Sequence, residues 1–499
     1  MKKLSLHRFI RTHWYSLLLS GILLIAIALR FANYNERWGL AYDQARDVLV
    51  AREALRVGEL PLIGPFASAG QFVYGPQWYW ILMIFVLFNP SFLLTPWILL
   101  SILYVLVVYV MVLIGTEIKG KKFGLLLGLL TAVSTAQIAQ SVNLSSPSMV
   151  GVVSVFCFFV FIKYIKNDKP IIVGLLGFLI GSAINVHFQA VNLILLGLVA
   201  LLFTKRHKIK AMLFLAVGLL IPFIPLLIFD LQTNHFESKN ILDYFLYGQH
   251  KTAIPKRWLT YAFSFWPLSW SRIIGGYYLF GYFLIGITGI AVVDSIRKKD
   301  RDRIIFACAV FFLFAVILLR YYKGPLYDSY LVSLHTVVII LTGWVLFRII
   351  QISRTLGIVA LLIVIAGSII INMKDIYYSK NNMAAMALGM KAFLYKSYPQ
   401  EKTFSLYDYE YVSSTYSLPL VLFLDADGRI GKGGYKIGFG SSSRLVIQDH
   451  EEIPGNTFGF RLRDLNASSS AELMKNGWAP VNPSDIFHST VKWYEDKQL

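Results

Sequence analysis

Long apolar runs alternate with short polar links over the first three-quarters of the chain. Runs at 14–32, 92–114, 123–140, 149–162, 171–187, 191–203, 211–229, 277–293, 304–319, 330–347 and 356–372 each predict a helix of membrane-spanning character. Several hold about 17–20 apolar residues, enough to cross a ~30 Å hydrocarbon core, while others, such as 191–203, borrow residues from their flanks. The links 116–122, 163–170, 204–210, 294–303 and 348–354 are rich in Lys and Arg, as is the N-terminus with Lys2, Lys3, Arg8 and Arg11. By the positive-inside rule these segments are cytoplasmic and the loops between them lie outside. The run 78–88 is too short to cross and reads as a re-entrant or interfacial helix. A crossing there would turn Lys119, Lys121 and Lys122 outward. Eleven crossings result, within an expected range of about 11–13 transmembrane helices.

The outer segments have patterns of their own. In the loop 33–76, residues 43–57 read as an amphipathic interfacial helix, with Asp43, Arg46, Asp47 and Glu53 polar and Val48, Leu49, Ala51 and Leu55 apolar. Pro61, Gly64, Pro65, Gly70, Gly75 and Pro76 then punctuate a turn-rich stretch. A second outer segment, 230–276, ends in Trp258, Tyr261, Phe265, Trp266 and Trp270, which suit the headgroup region or the wall of a lipid-linked substrate site. Past residue 372 the composition turns polar, so the chain divides into a multi-pass part, 1–372, and a soluble extracytoplasmic domain, 373–499, of small α/β type. There 384–396 predicts a helix, 403–407 and 420–424 predict strands, and Gly431, Gly433 and Gly434 after the turn Asp427-Gly428 predict a glycine-rich hairpin. That stretch lacks the Lys-Ser/Thr ending of a phosphate loop.

Composition narrows the class further. A chain of 499 residues that is 56% hydrophobic is no soluble globule. The net charge of +19 is carried largely by inter-helix loops, so topology and contact with membrane lipids explain it, and no nucleic-acid partner is expected. Cys157 and Cys308 both lie in apolar runs, which excludes a disulfide framework. The N-terminus has a basic start and an apolar run without a small-residue cleavage site, and reads as a first membrane helix rather than a removed signal.

Most polar clusters fall on outer loops. In Tyr42-Asp43-Gln44-Ala45-Arg46-Asp47, a helix brings Asp43, Arg46 and Asp47 to one face. The bland reading makes Asp43 an N-cap and the others surface charges. Against that reading, the cluster opens a long outer loop ahead of the aromatic run from Gly75 to Trp80.

The order of one membrane helix, an Asp-x-x-Arg loop helix and then Gly75-Pro76-Gln77-Trp78-Tyr79-Trp80 resembles the GT-C membrane glycosyltransferases related to protein O-mannosyltransferases and lipid A aminoarabinose transferases. Those enzymes carry Asp-Glu-x-Arg in the first outer loop. Here Asp43, Gln44 and Arg46 match it, with Gln in place of Glu. Asn143-Leu144-Ser145-Ser146-Pro147-Ser148 resembles an Asn-Pro-Ser-type outer turn of some bacterial members. Val186-His187-Phe188 and Tyr321-Tyr322-Lys323-Gly324, followed by Asp328-Ser329-Tyr330, are similar to that subgroup as well.

The resemblance covers about 1–372 and implies a polytopic α-helical protein of the cell (plasma or inner) membrane. Such an enzyme moves a hexosyl or pentosyl unit from a polyprenyl-phosphate-linked sugar to an acceptor protein, lipid or glycan outside. It implies Asp43 as catalytic base and Arg46, with Lys323 or Arg320, as binders of the donor phosphate. Asp47, Tyr74, Asn143, His187, Tyr321, Tyr322 and Tyr330 are the expected substrate contacts. Two departures stand out. The 143–148 turn lacks the second carboxylate of some relatives, a role open to Asp47, and Val73 and Tyr74 replace the basic residue that aminoarabinose transferases carry before Pro-Pro.

His187 has two readings, a hydrogen-bonded core residue or a substrate contact, since polar groups at membrane depth usually face a cavity. No His/Asp/Glu spacing marks a metal site and no cofactor is required, though a divalent ion could bridge Asp43 and phosphate. The competing reading is a transporter or lipid-linked-sugar flippase, which the lack of an internal repeat and of mid-span charges disfavours.

Overall fold

The computed structural model describes residues 6–495 except 68–69, 248–254, 276–277, 298–301, 323–327, 410–413, 442–450 and 453–459. All eleven predicted spans fall on helices. Seven of these are long and apolar enough to cross a membrane: Thr12–Phe31, Thr95–Lys119, Ser146–Asn167, Lys208–Gln232, Arg303–Tyr321, Ser329–Ile352 and the membrane part of Arg354–Ser397. Two further spans are bent pairs. Lys121–Val133 meets Thr135–Val142 at 57°, and Trp258–Ile274 meets Tyr278–Asp294 at 99°. The remaining two, Pro170–Val186 and Phe188–Leu202, are shorter apolar helices. Length alone therefore supports seven to nine crossings among the described residues, short of the expected eleven. The helix Gln77–Phe88 has 12 residues, or about 18 Å at 1.5 Å per residue, roughly half a hydrocarbon core.

The bundle is organised around Val332–Ile352, nearly all of it buried. Its polar side chains are met by neighbours: Ser333 Oγ accepts from Asn192 Nδ2 at 2.9 Å, Thr342 Oγ1 from Trp270 Nε1 at 3.0 Å, and His335 Nδ1 lies 3.2 Å from Gln137 Nε2. Such pairing is what hydrocarbon demands of buried polar groups. Pro170–Val186 and Lys208–Leu220 meet along a glycine seam. A Cβ on Gly177 or Gly181 would stand 2.3 Å from the carbonyl oxygen of Leu215 or Leu219. Only bare backbone allows that approach. The outer helices Leu6–Phe31 and Arg354–Tyr378 turn Leu17, Leu24, Leu362 and Ile370 outward.

The C-terminal part carries a five-stranded sheet of order β3-β4-β2-β1-β5, with β1 Phe404–Tyr409, β2 Tyr435–Ser441, β3 Glu451–Glu452, β4 Phe460–Asp464 and β5 Trp478–Pro480. β1 and β2 pair in parallel and the other pairs are antiparallel. The helix at 384–396 forms as Asn382–Ser397 and the strand at 403–407 as β1. Two expectations fail. Residues 420–424 belong to the helix Ser414–Ala426, and the glycine-rich stretch leads into the parallel strand β2, so it is no hairpin.

This domain rests on the first loop. Asp425 receives Arg52 Nε at 2.5 Å and Arg56 Nη2 at 2.8 Å, and Lys492 meets Glu59 at 2.8 Å. The end of the last long helix is tied to the same loop, through Arg37–Asp375 at 3.2 Å and Asn33 Nδ2 to the Ile376 carbonyl at 2.8 Å. Loop 33–76 and the C-terminal domain thus share one face of the bundle. That requires an even number of crossings between them, as the ten predicted spans from 92 to 372 supply.

Candidate functional site

The loop helix runs Tyr42–Val57. Its cap position is Ala41, which makes no side-chain cap, so Asp43 sits inside the first turn rather than capping it. There its charge suits the positive end of the helix dipole. The one-face cluster forms as the spacing predicts. Arg46 Nη1 lies 3.0 Å from Asp43, whose side chain is 67% exposed. On its other edge Arg46 gives Nε and Nη2 to Asp47 Oδ1 at 2.9 and 2.7 Å. The Tyr42 ring lies 5.3 Å from the guanidinium. Burial opposes the cation, but the carboxylates of Asp47 and Asp43 outweigh it and hold Arg46 firmly charged.

Asp47 differs from its expected role. It is 3% exposed and both oxygens are taken, Oδ1 by Arg46 and Oδ2 by the Trp78 indole N–H at 2.7 Å. It therefore holds Arg46 from behind and binds the loop helix to Gln77–Phe88, instead of facing a substrate. Two carboxylates that could bridge a divalent ion already share a guanidinium. Among the described residues, no three His, Cys, Asp or Glu side chains converge as a metal site would need.

The turn at 143–148 is brought to this helix by Gln44, whose Nε2 donates to Asn143 Oδ1 at 3.0 Å. Ser145 caps the helix Ser146–Asn167, and Ser148 Oγ donates to Gln140 Oε1 at 2.7 Å. The serines of the turn thus serve helix capping first.

Beside the ion cluster stands an aromatic group. The His187 ring lies 4.3 Å from that of Tyr74 and 5.0 Å from that of Tyr330. His187 Nδ1 accepts from the Gln189 backbone N–H at 3.3 Å, which leaves Nε2 for other work. Burial raises the Tyr74 phenol well above its ordinary range, and the nearby Tyr330, Tyr322 and Asp43 act in the same direction. The Asp43 carboxylate thus acts electrostatically on Tyr74. Tyr322 faces Tyr244.

Arg320 and Tyr321 stand apart, against the aromatic stretch. The Arg320 guanidinium lies 5.2 Å from the Trp258 ring and 5.8 Å from that of Tyr261, and Tyr321 lies 6.0 Å from Trp258. Arg320 is 8% exposed and its Nε has no partner. Lys323 lies outside the described residues.

Sequence reasoning missed several members. Trp78 and Tyr79 belong to the quoted Gly-Pro motif, but nothing in the sequence tied them to Asp47. Glu237, in the helix Phe236–Tyr247, accepts from the Val73 backbone N–H at 3.0 Å beside Tyr74. Asn185 abuts Gly75, where a Cβ would fall 1.9 Å from Asn185 Oδ1.

No family model matches the sequence, and no curated protein matches it. Solved structures do. ArnT from Cupriavidus metallidurans aligns in the apo state with a TM-score of 0.64 at 11% identity, over 91% of this chain and 98% of that one. Its form bound to undecaprenyl phosphate aligns at 0.61 and 10% identity, over 90% of this chain and 98% of that one. The chain has the GT-C fold. The oligosaccharyltransferase from Archaeoglobus fulgidus, tethered with an acceptor peptide, aligns at 0.50 and 13% identity, over 82% of this chain and 64% of that chain. Over nine-tenths of this chain, then, the GT-C fold extends through both the helical bundle and the C-terminal part.

Proposed function

We propose that this GT-C protein is a membrane glycosyltransferase. It moves a hexosyl or pentosyl unit from a polyprenyl-phosphate donor to an acceptor on the outer face of the plasma (inner) membrane. One observation carries the reading: an exposed carboxylate, Asp43, is held by a charged Arg46 that a buried Asp47 anchors in turn. Asp43 takes the proton of the acceptor's nucleophile, whose lone pair attacks the anomeric carbon. The bond from that carbon to the phosphate oxygen breaks, and polyprenyl phosphate leaves with the electron pair. The leaving group is already an anion and needs cations rather than an acid. The neighbours ArnT and oligosaccharyltransferase, one bound to undecaprenyl phosphate and one tethered to an acceptor peptide, support a lipid-linked donor and a separate acceptor. Protein, lipid and glycan acceptors all fit this scheme, and no cofactor is needed in it.

The test is to incubate purified protein with a panel of polyprenyl-phosphate sugars and follow release of polyprenyl phosphate. Asp43→Asn keeps size and removes the base, so transfer should fall roughly 10²–10⁴-fold while the protein folds normally. Transfer by Asp43→Asn at near the wild-type rate would refute the mechanism.

A further inference from the structure

An apolar groove of about 660 Å³ runs along the outside of the bundle between Pro170–Val186 and Lys208–Leu220. The two helices lie side by side and point the same way, because Gly174 abuts Phe214 while Gly181 abuts Leu219 and Pro222. Side chains a turn apart give each helix a ridge, Ile171, Leu175 and Phe178 on one and Leu213, Val217 and Ile221 on the other. All six are exposed. Glycine forms the floor between the ridges. A Cβ on Gly218 would fall 2.1 Å from the Gly174 carbonyl oxygen, so the backbones touch and leave a trough above them. No polar side chain lines it.

Cations gather at the end of the groove where both helices begin. Lys169 stands just before the helix that carries Ile171, and Lys208 and Lys210 open the helix that carries Leu213. Asp168 draws the second link against the first, with Oδ2 accepting from the backbone N–H groups of Lys205 at 3.1 Å and Arg206 at 3.0 Å. Lys169, Lys205, Arg206, Lys208 and Lys210 are all exposed, and among the described residues none of the five has an ion pair. In other basic links carboxylates take up part of the charge. Glu117 meets Lys163 at 2.6 Å and Lys166 at 2.9 Å, and Asp302 meets Lys119 at 3.2 Å. Here five cations stand against the one carboxylate of Asp168, which leaves +4. Membrane topology accounts for the sign of these charges, but not for their meeting at the mouth of an apolar trough.

One occupant uses both parts. An acyl chain fits along the ridges, and an anionic headgroup on the same molecule meets the cations. A second copy of this face would bring like charge against like charge. We propose that the groove is a binding site for an anionic glycerophospholipid. Polyprenyl phosphate at the candidate site is a different ligand. The far end of Pro170–Val186 is His187, packed on Tyr74, and 17 residues at 1.5 Å each put it about 25 Å from Lys169. A phosphate held by these lysines is therefore not one that Asp43 and Arg46 can reach, and lipid binding here does not rest on the glycosyl-transfer reading.

The test uses full-length protein in detergent with phosphatidylglycerol and phosphatidylcholine of identical chains, each carrying a diazirine on one acyl chain. Light-induced labels from phosphatidylglycerol should map to 171–178 or 213–221 and exceed those from phosphatidylcholine by about tenfold or more. Replacing Lys169 and Lys210 together by glutamine should lower the phosphatidylglycerol label several-fold and leave the phosphatidylcholine label unchanged. Val217→Trp, on an exposed ridge, should cut groove labels from both lipids. Melting temperatures check folding, and the single variants Lys169→Gln and Lys210→Gln decide if the pair does not fold. Equal labelling by the two lipids, labels outside the groove, or a preference that survives the folded lysine variants overturns the inference. Stronger competition by polyprenyl phosphate than by unlabelled phosphatidylglycerol would assign the groove to the carrier and overturn it too. Labelling confined to monomers, with the groove covered in a dimer, would do the same in favour of a second copy.

Discussion

Replacing Glu237 by glutamine should make the docking of the helix Phe236–Tyr247 onto the 61–76 loop indifferent to pH. Glu237 is 3% exposed, with Oε2 accepting from the Val73 N–H and Oε1 without a partner. Burial pushes its carboxyl up from 4.5 to about 8, against the Val73 bond that lowers it, and the Asp230 carboxylate adds to the rise. A buried acid with a raised value favours its docked, neutral form. Its contribution is full below about pH 4.5, where the undocked carboxyl is also protonated, and is lost as pH rises through about 8. At ~1.4 kcal/mol per pH unit, that interval makes the loss on the order of 5 kcal/mol. Glutamine keeps an acceptor for Val73 and has no charge to gain.

The assay is hydrogen exchange at the Val73 amide in detergent-solubilised protein, corrected for the intrinsic pH dependence of exchange. Wild-type protection at Val73 should fall by roughly 10²–10³ between pH 5 and pH 8, and the Glu237→Gln variant should stay level. Tyr74 follows Val73 and stacks on His187, so donor turnover in the wild type should weaken over the same range. An equal fall in protection for wild type and Glu237→Gln would refute the reasoning, because the pH dependence would then belong to another group.

Further outcomes follow from the same geometry. Arg46→Ala leaves Asp47 buried without its cation, which should cost roughly 3–5 kcal/mol and abolish transfer. Arg46→Lys should retain part of both, since it keeps the charge without the fork; wild-type melting and turnover for Arg46→Ala would contradict this. Asp425→Ala removes the carboxylate that Arg52 and Arg56 share, so limited proteolysis should cut between the last long helix and β1 much faster. An unchanged cleavage pattern would mean that the domain is held by other contacts. Gly75→Ala should lower the yield of folded protein through its clash with Asn185, and Asn185→Ala should restore it in the double variant; failure of that rescue would point to backbone conformation instead.

The bundle was legible because membrane helices announce themselves by uninterrupted apolarity, so every predicted span overlies a helix. Crossing count was harder to read, since the runs at 171–187 and 191–203 form short helices joined at His187 and the run at 123–140 bends at Ser134. Helical spacing was enough to place Asp43, Arg46 and Asp47 on one face. It could not tell that Asp47 points inward, because that depends on the indole of Trp78, thirty-one residues away. The run 420–424 was misassigned as strand for a similar reason. Its residues are buried on all sides, so no period separates helix from strand. Glu237 left no signal, since its partner is a backbone N–H.

Charge counting then constrains the proposed chemistry. Asp43, Arg46 and Asp47 sum to a net −1, and Arg46 has already given three N–H groups to the two carboxylates. A donor phosphate brought within about 4 Å of that net charge would be repelled by ~1 kcal/mol in water and by ~4 kcal/mol at an effective dielectric near 20. The fork alone cannot hold the donor. In the proposed mechanism a second cation has to come from elsewhere in the chain, and Arg320 and Lys323 are the candidates that the family resemblance names. Arg320 is buried against Trp258 and Tyr261 with its Nε unpartnered, and Lys323 follows three residues on in the sequence. In the proposed mechanism such a cation lets Arg46 turn its two remaining N–H groups to the phosphate while Asp47 keeps it in place. Asp43, released from the pair as the phosphate binds, is then free to accept a proton at the moment the acceptor needs a base.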